Sequence, residues 1–147
     1  MTPELATLYQ RVILEHNARP HNRGPLDGHT HEGTAHNPLC GDTLTLRLLV
    51  DEGRIVTARF EGDGCALSRA SASLLTLAVA SRTPAEALET AGELERFLTP
   101  DRDHEEGAAA GPARLGDLVA LQGVRAVPAR RRCATIPWEA LRVALAV

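Results

Sequence analysis

The period of the apolar positions changes along the chain, and each change predicts an element. Leu5, Leu8, Tyr9, Val12 and Ile13 recur at helical spacing behind Pro3, which suits a first turn. That helix is expected to stop over 16–20, because Asn17 and Pro20 do not continue it. Residues 19–36 are polar and interrupted by Pro20, Gly24, Pro25, Gly28 and Gly33, and they read as a long loop with a short edge strand inside. Leu44, Leu46, Leu48 and Val50 then alternate with Thr43, Thr45 and Arg47, the period-two signature of a half-buried strand over 43–50. Asp51-Glu52-Gly53 makes a tight turn, and 54–61 returns with Val56, Ala58 and Phe60 on one side. A hairpin alone is marginal, so a third strand is needed, and 29–35 is the natural candidate.

Helices follow. Gly62-Asp63-Gly64 breaks the strand, and Leu67, Ala70, Ser71, Leu74, Leu75, Ala78 and Val79 mark a helical face. Thr83-Pro84 opens another helix, with Thr83 as cap, running to about Leu98. The stretch 99–112 is acidic, rich in Ala and Gly and unpatterned, and is expected to be a mobile loop. Residues 115–124 look helical, Pro128 is expected to interrupt, and 137–147 closes the chain as a helix carrying Trp138, Leu141, Ala144 and Leu145. The order predicts a single α+β domain over 1–147: a small three-stranded antiparallel sheet with helices packed on one face.

Composition narrows the chemistry. A chain of 147 residues holds one real core, and with aromatics at 3% that core must be built from Leu, Val and Ala. So few aromatics argue against a base-stacking nucleic-acid platform, and a net charge of −3 argues against a polyanion binder. All 16 basic residues are Arg, which excludes a phosphate-loop lysine, a Schiff-base lysine and a lysine nucleophile. The opening residues do not resemble a secretory signal, and no run approaches the roughly 18–20 apolar residues of a membrane helix, so a cytoplasmic protein without membrane partners is expected.

Three cysteines, Cys40, Cys65 and Cys133, make no closed disulfide framework. Each is read at a boundary between elements. Cys40 and Asp42 flank Gly41 just ahead of a strand, so their side chains can point the same way. Cys65 precedes a helix, where unpaired amides favour a thiolate, and Cys133 follows Arg130-Arg131-Arg132. Three thiolates and one carboxylate form a set suited to tetrahedral zinc, and the arginine run would offset its negative charge. Other readings stay open. A lone cysteine is commonly a small buried hydrophobe, Asp42 can be a turn residue, and the arginine run can be a solvated surface. His36, four residues before Cys40, is a rival fourth ligand.

With these residues in place the chain resembles the U-type iron–sulfur cluster assembly proteins (the IscU and NifU N-terminal family). The resemblance runs through Leu8-Tyr9, His16-Asn17-Ala18-Arg19-Pro20-His21-Asn22, Asn37-Pro38-Leu39-Cys40-Gly41-Asp42, Gly62-Asp63-Gly64-Cys65-Ala66-Leu67-Ser68, and Arg132-Cys133-Ala134-Thr135-Ile136-Pro137-Trp138. The scaffold branch typically carries histidine directly before the third cysteine, where this chain has Arg132. It also carries a chaperone-read Leu-Pro-Pro-Val-Lys stretch where this chain has Ala126-Val127-Pro128-Ala129-Arg130, and a shorter gap between the last two cysteines. These departures match the SufU branch. That resemblance implies a zinc site of Cys40, Asp42, Cys65 and Cys133, and a SufS-type pyridoxal-phosphate cysteine desulfurase as partner. It implies a zinc-dependent sulfurtransferase: Cys40 accepts persulfide sulfur once a desulfurase histidine displaces it from zinc, and the sulfur passes to SufBCD-type machinery. Arg130 and Arg132 would then act electrostatically, offsetting site charge and docking the partner. A scaffold that builds a transient iron–sulfur cluster on the same residues is the alternative, and an inert zinc-stabilised binding module is a third.

Overall fold

The structure, a computed structural model, describes residues 3–38, 41–99 and 113–146. Cys40 and the acidic stretch from 100 to 112 lie outside the described residues. The alternating segment forms strand β2 (Asp42–Asp51), the middle of an antiparallel sheet between β1 (His31–Asn37) and β3 (Arg54–Asp63). Leu44, Leu46 and Leu48 turn into the core as their period requires. On the other face Arg47 reaches Glu32 at 2.7 Å and Glu61 at 3.3 Å, joining all three strands.

Three expectations about the sheet are corrected. The edge strand begins at His31 rather than 29 and continues to Asn37, which pairs with Asp42 and anchors the start of β2. On β3, Val56 is 55% exposed while Ile55 is fully buried, the reverse of the expected side. The cause is a bulge: pairing steps from Leu49 with Thr57 to Val50 with Ile55, so one residue of β3 is unmatched and side-chain parity flips. The strand also runs through Gly62 to Asp63 instead of breaking there. Gly62 has φ 139°, and a Cβ would lie 2.1 Å from the Thr43 carbonyl oxygen, so only glycine lets β3 pass this close to β2.

The helical elements are α1 (Pro3–Ala18), α2 (Ala66–Ala78), α3 (Pro84–Leu98), a 3₁₀ segment (Ala113–Ala126) and α4 (Pro128–Leu145). Thr83 caps α3 in a full capping box with Glu86. The segment expected to be helical over 115–124 is 3₁₀-wound, with Gly116 at φ 53° and ψ −128° kinking it. The last helix departs most from expectation. Pro128 starts α4 rather than interrupting, since proline suits a first turn, and Pro137 lies inside it. Proline has no N–H, so Pro137 cannot donate the usual helix bond to the carbonyl of Cys133, four residues back. The Ser68 hydroxyl from α2 stands 3.0 Å from that carbonyl and substitutes for the missing donor. Cys133 is therefore inside a helix, not ahead of one.

Helix α4 lies against β1 and β2 at backbone distance. A Cβ on Gly33 would sit 2.2 Å from the Ala140 carbonyl oxygen. Trp138, Ile136 and Leu141 of α4 join Leu46, Leu48, Ile55 and Phe60 of the sheet in the core, with Leu75, Leu94, Leu98, Leu118 and Leu121 behind them. The fold is α+β as the element order predicts. Among the described residues no helix is long and apolar enough to cross a membrane.

Candidate metal centre

Asp42, Cys65 and Cys133 come from three elements to one point, and one ligand atom from each lies within 4.8 Å of the others. Asp42 is the buried first residue of β2, held by its pairing with Asn37. Cys65 is the N-cap of α2, at φ −69° and ψ 170°, and its sulfur accepts the Ser68 N–H at 3.5 Å. Cys133 is buried in α4, against α2.

A small hydrogen-bond system ties the three together. The Cys65 N–H donates to Asp42 Oδ2 at 3.3 Å, and the Ser68 hydroxyl lies 2.9 Å from the same oxygen. Ser68 Oγ is also 3.5 Å from Cys65 Sγ. Burial pushes the Cys65 thiol up, but the Ser68 hydroxyl and N–H, the Cys133 side chain and the Leu67 amide favour the thiolate and together hold it below the usual thiol range. Two sulfurs and a carboxylate packed this closely, with Asp42 and Cys133 buried and Cys65 partly buried, form a donor set that a cation would balance. The mix of soft and hard donors fits zinc, which needs one further ligand for a tetrahedron.

The other residues singled out in the sequence fall as follows. Cys40 lies outside the described residues, two positions before Asp42 in the chain. His36 is exposed, with Nδ1 2.9 Å from the Thr43 hydroxyl, and is not in the clustered group. Arg132 points to the end of β1: one guanidinium nitrogen donates to the His36 carbonyl at 3.1 Å and lies 3.4 Å from Glu139. Arg130 is exposed in the first turn of α4, where the helix has no side-chain cap and no acidic residue. Three arginines beside that positive helix end oppose the dipole, so local helix stability does not explain them.

Ser68 was not picked out as a site residue from the sequence. Its signal was present, since a polar side chain three residues after an N-cap is placed to face the cap. Cysteine is an unusual cap, which hid the pattern.

A family model described as the NifU-like N-terminal domain matches residues 8–134. The zinc-dependent sulfurtransferase SufU of Bacillus subtilis is 38% identical over 142 residues, covering 97% of this chain and 92% of that protein. The iron–sulfur cluster assembly scaffold protein IscU of Streptococcus pyogenes is 34% identical, covering 97% and 85%. Among solved structures, the SufU of Fervidobacterium islandicum superposes with a TM-score of 0.78 at 28% identity, covering 95% of this chain and 97% of that one.

Proposed function

Because this chain belongs to the NifU-like N-terminal domain family, a SufU/IscU-type group of iron–sulfur cluster assembly, we propose that it is a zinc-dependent sulfur acceptor for a cysteine desulfurase. The observation that carries this reading is the convergence of Asp42, Cys65 and Cys133 within 4.8 Å. Asp42, Cys65 and Cys133 would hold zinc, with Cys40 as fourth ligand, and bound zinc would keep the thiols deprotonated and shielded.

Cys40 is the proposed acceptor. In the chain it stands just before Gly41, at φ 74°, between the end of β1 and the start of β2, and an acceptor on a loop would move without unwinding an element. Cys65 and Cys133 are the cap and interior of helices, and moving either disturbs packing. In the transfer, the Cys40 thiolate attacks the terminal sulfur of the desulfurase persulfide. The sulfur–sulfur bond on the desulfurase breaks, its cysteine thiolate leaves, and a new sulfur–sulfur bond forms on Cys40, with no net oxidation. Arg130 would meet acidic groups on the SufS-type partner, and the sulfur would go on to SufBCD-type machinery. Arg132 would act through charge and through its hold on β1, since a guanidinium has no lone pair for a metal.

The test is incubation of the full chain with desulfurase and cysteine, followed by mass spectrometry and metal analysis. One added sulfur on Cys40, about one zinc per chain, and loss of desulfurase stimulation in Cys40→Ala are expected. Sulfur on Cys65 or Cys133, or full stimulation by Cys40→Ala, overturns the acceptor assignment. A second reading, a scaffold that builds a cluster on the same residues, is favoured by the IscU name of the streptococcal relative. Iron, acid-labile sulfide and visible absorption in protein purified without oxygen would support it.

A further inference from the structure

Ser68 is fully buried and touches all three clustered residues: Asp42 Oδ2 at 2.9 Å, the Cys133 carbonyl at 3.0 Å and Cys65 Sγ at 3.5 Å. Its hydroxyl has one proton for these acceptors. A carboxylate is the strongest claimant, because charge-assisted hydrogen bonds are about twice as strong as neutral ones. The second claimant is the Cys133 carbonyl, to which Pro137 cannot donate the usual helix bond. The hydroxyl thus sits where the first residue of β2, the cap of α2 and the interior of α4 meet.

We propose that Ser68 is a positioning residue of the metal centre, holding the Asp42 carboxylate in the orientation that meets the two sulfurs. It does not ligate. It acts through Asp42, as partners behind a ligand do when they fix its direction. Gly64 supports the arrangement: a Cβ there would lie 3.1 Å from Ser68 Cβ, crowding Ser68, while reaching only ordinary contact with Asp42 Cγ at 3.8 Å. Ser68 itself is three residues beyond the cap, so α2 delivers its hydroxyl by backbone geometry alone.

The proposal rests on the zinc reading above, and its test separates the two. Full-length wild type, Ser68→Ala, Asp42→Ala and the double variant are loaded with zinc and titrated with a chromophoric chelator. Ser68→Ala should hold zinc about 10–100-fold more weakly than wild type. In the Asp42→Ala background it should add almost nothing, because the route through Asp42 is already gone. Ser68→Thr keeps the hydroxyl and should restore retention, and it carries the test if Ser68→Ala does not fold without metal. Melting of the metal-free variants by circular dichroism reads the purely structural contribution separately. Equal zinc retention in Ser68→Ala and wild type overturns the proposal, as does an equal loss in both backgrounds, or Ser68→Thr behaving like Asp42→Ala. Wild type that takes up no zinc overturns the zinc reading as well, a result visible before any variant is compared.

Discussion

Helix α2 carries a buried polar cluster at each end, and the two differ in how they are balanced. Toward its C-terminus, Ser73 Oγ accepts the His21 N–H at 2.8 Å and pairs with His16 Nδ1 at 2.7 Å, while Asn22 donates to Thr76 at 3.0 Å. Neutral donors meet neutral acceptors, so the protein satisfies this cluster by itself and uses it to pin α1 and the following loop to α2. Toward the N-terminus, one Ser68 hydroxyl faces a carboxylate, a thiol sulfur and a carbonyl. A carboxylate and two thiols, each able to carry negative charge, meet there. A buried cluster of neutral groups that closes on itself is architecture, and one that gathers a carboxylate and two thiols is a candidate for a cation.

The largest expected effect breaks the N-terminal cluster. Cys65→Ala and Cys133→Ala should lose zinc and the stability zinc contributes, about 4 kcal/mol if wild type is held at 1,000 times its Kd. Thermal melts with and without chelator check this: wild type should respond and both variants should not. An undiminished response in Cys133→Ala would mean that a cation does not balance this cluster.

A middle-sized effect breaks the other end. Ser73→Ala leaves the His21 N–H and His16 short of a buried partner and should cost about 1–3 kcal/mol in urea unfolding. Its zinc retention should equal that of wild type. Weakened retention would show that the two clusters communicate along α2.

The smallest effect is in pH. Burial, then the charge of His21, pulls His16 below its ordinary value, with Asp117 and Glu15 opposing. The folded protein therefore prefers neutral His16, and between the folded and unfolded values the unfolded chain binds more protons. His16 contributes stability that is intact above about pH 6.5 and is lost as pH falls through the folded value. Urea midpoints from pH 8 to 5 for wild type and His16→Gln at equal zinc should converge on acidification. A constant difference across that range would sink the assignment of a neutral buried His16.

What was legible in the sequence was local. The β2 alternation, the Thr83-Pro84 start of α3 and the α+β element order all follow from neighbours within a few residues, and the structure repeats them. The residue types of the candidate site were legible too, since cysteine and aspartate carry their chemistry wherever they sit. Only the tertiary structure decided three things. It set the bulge that buries Ile55 in place of Val56, because parity depends on the partner strand. It carried α4 through Pro137, because a hydroxyl 65 positions away in the chain supplies the donor that proline lacks. And it brought Asp42, Cys65 and Cys133 together, because the meeting depends on α4 packing at backbone distance over Gly33. Period and capping are written in short-range hydrogen bonds, whereas a site drawn from three elements exists only once the core between them has closed.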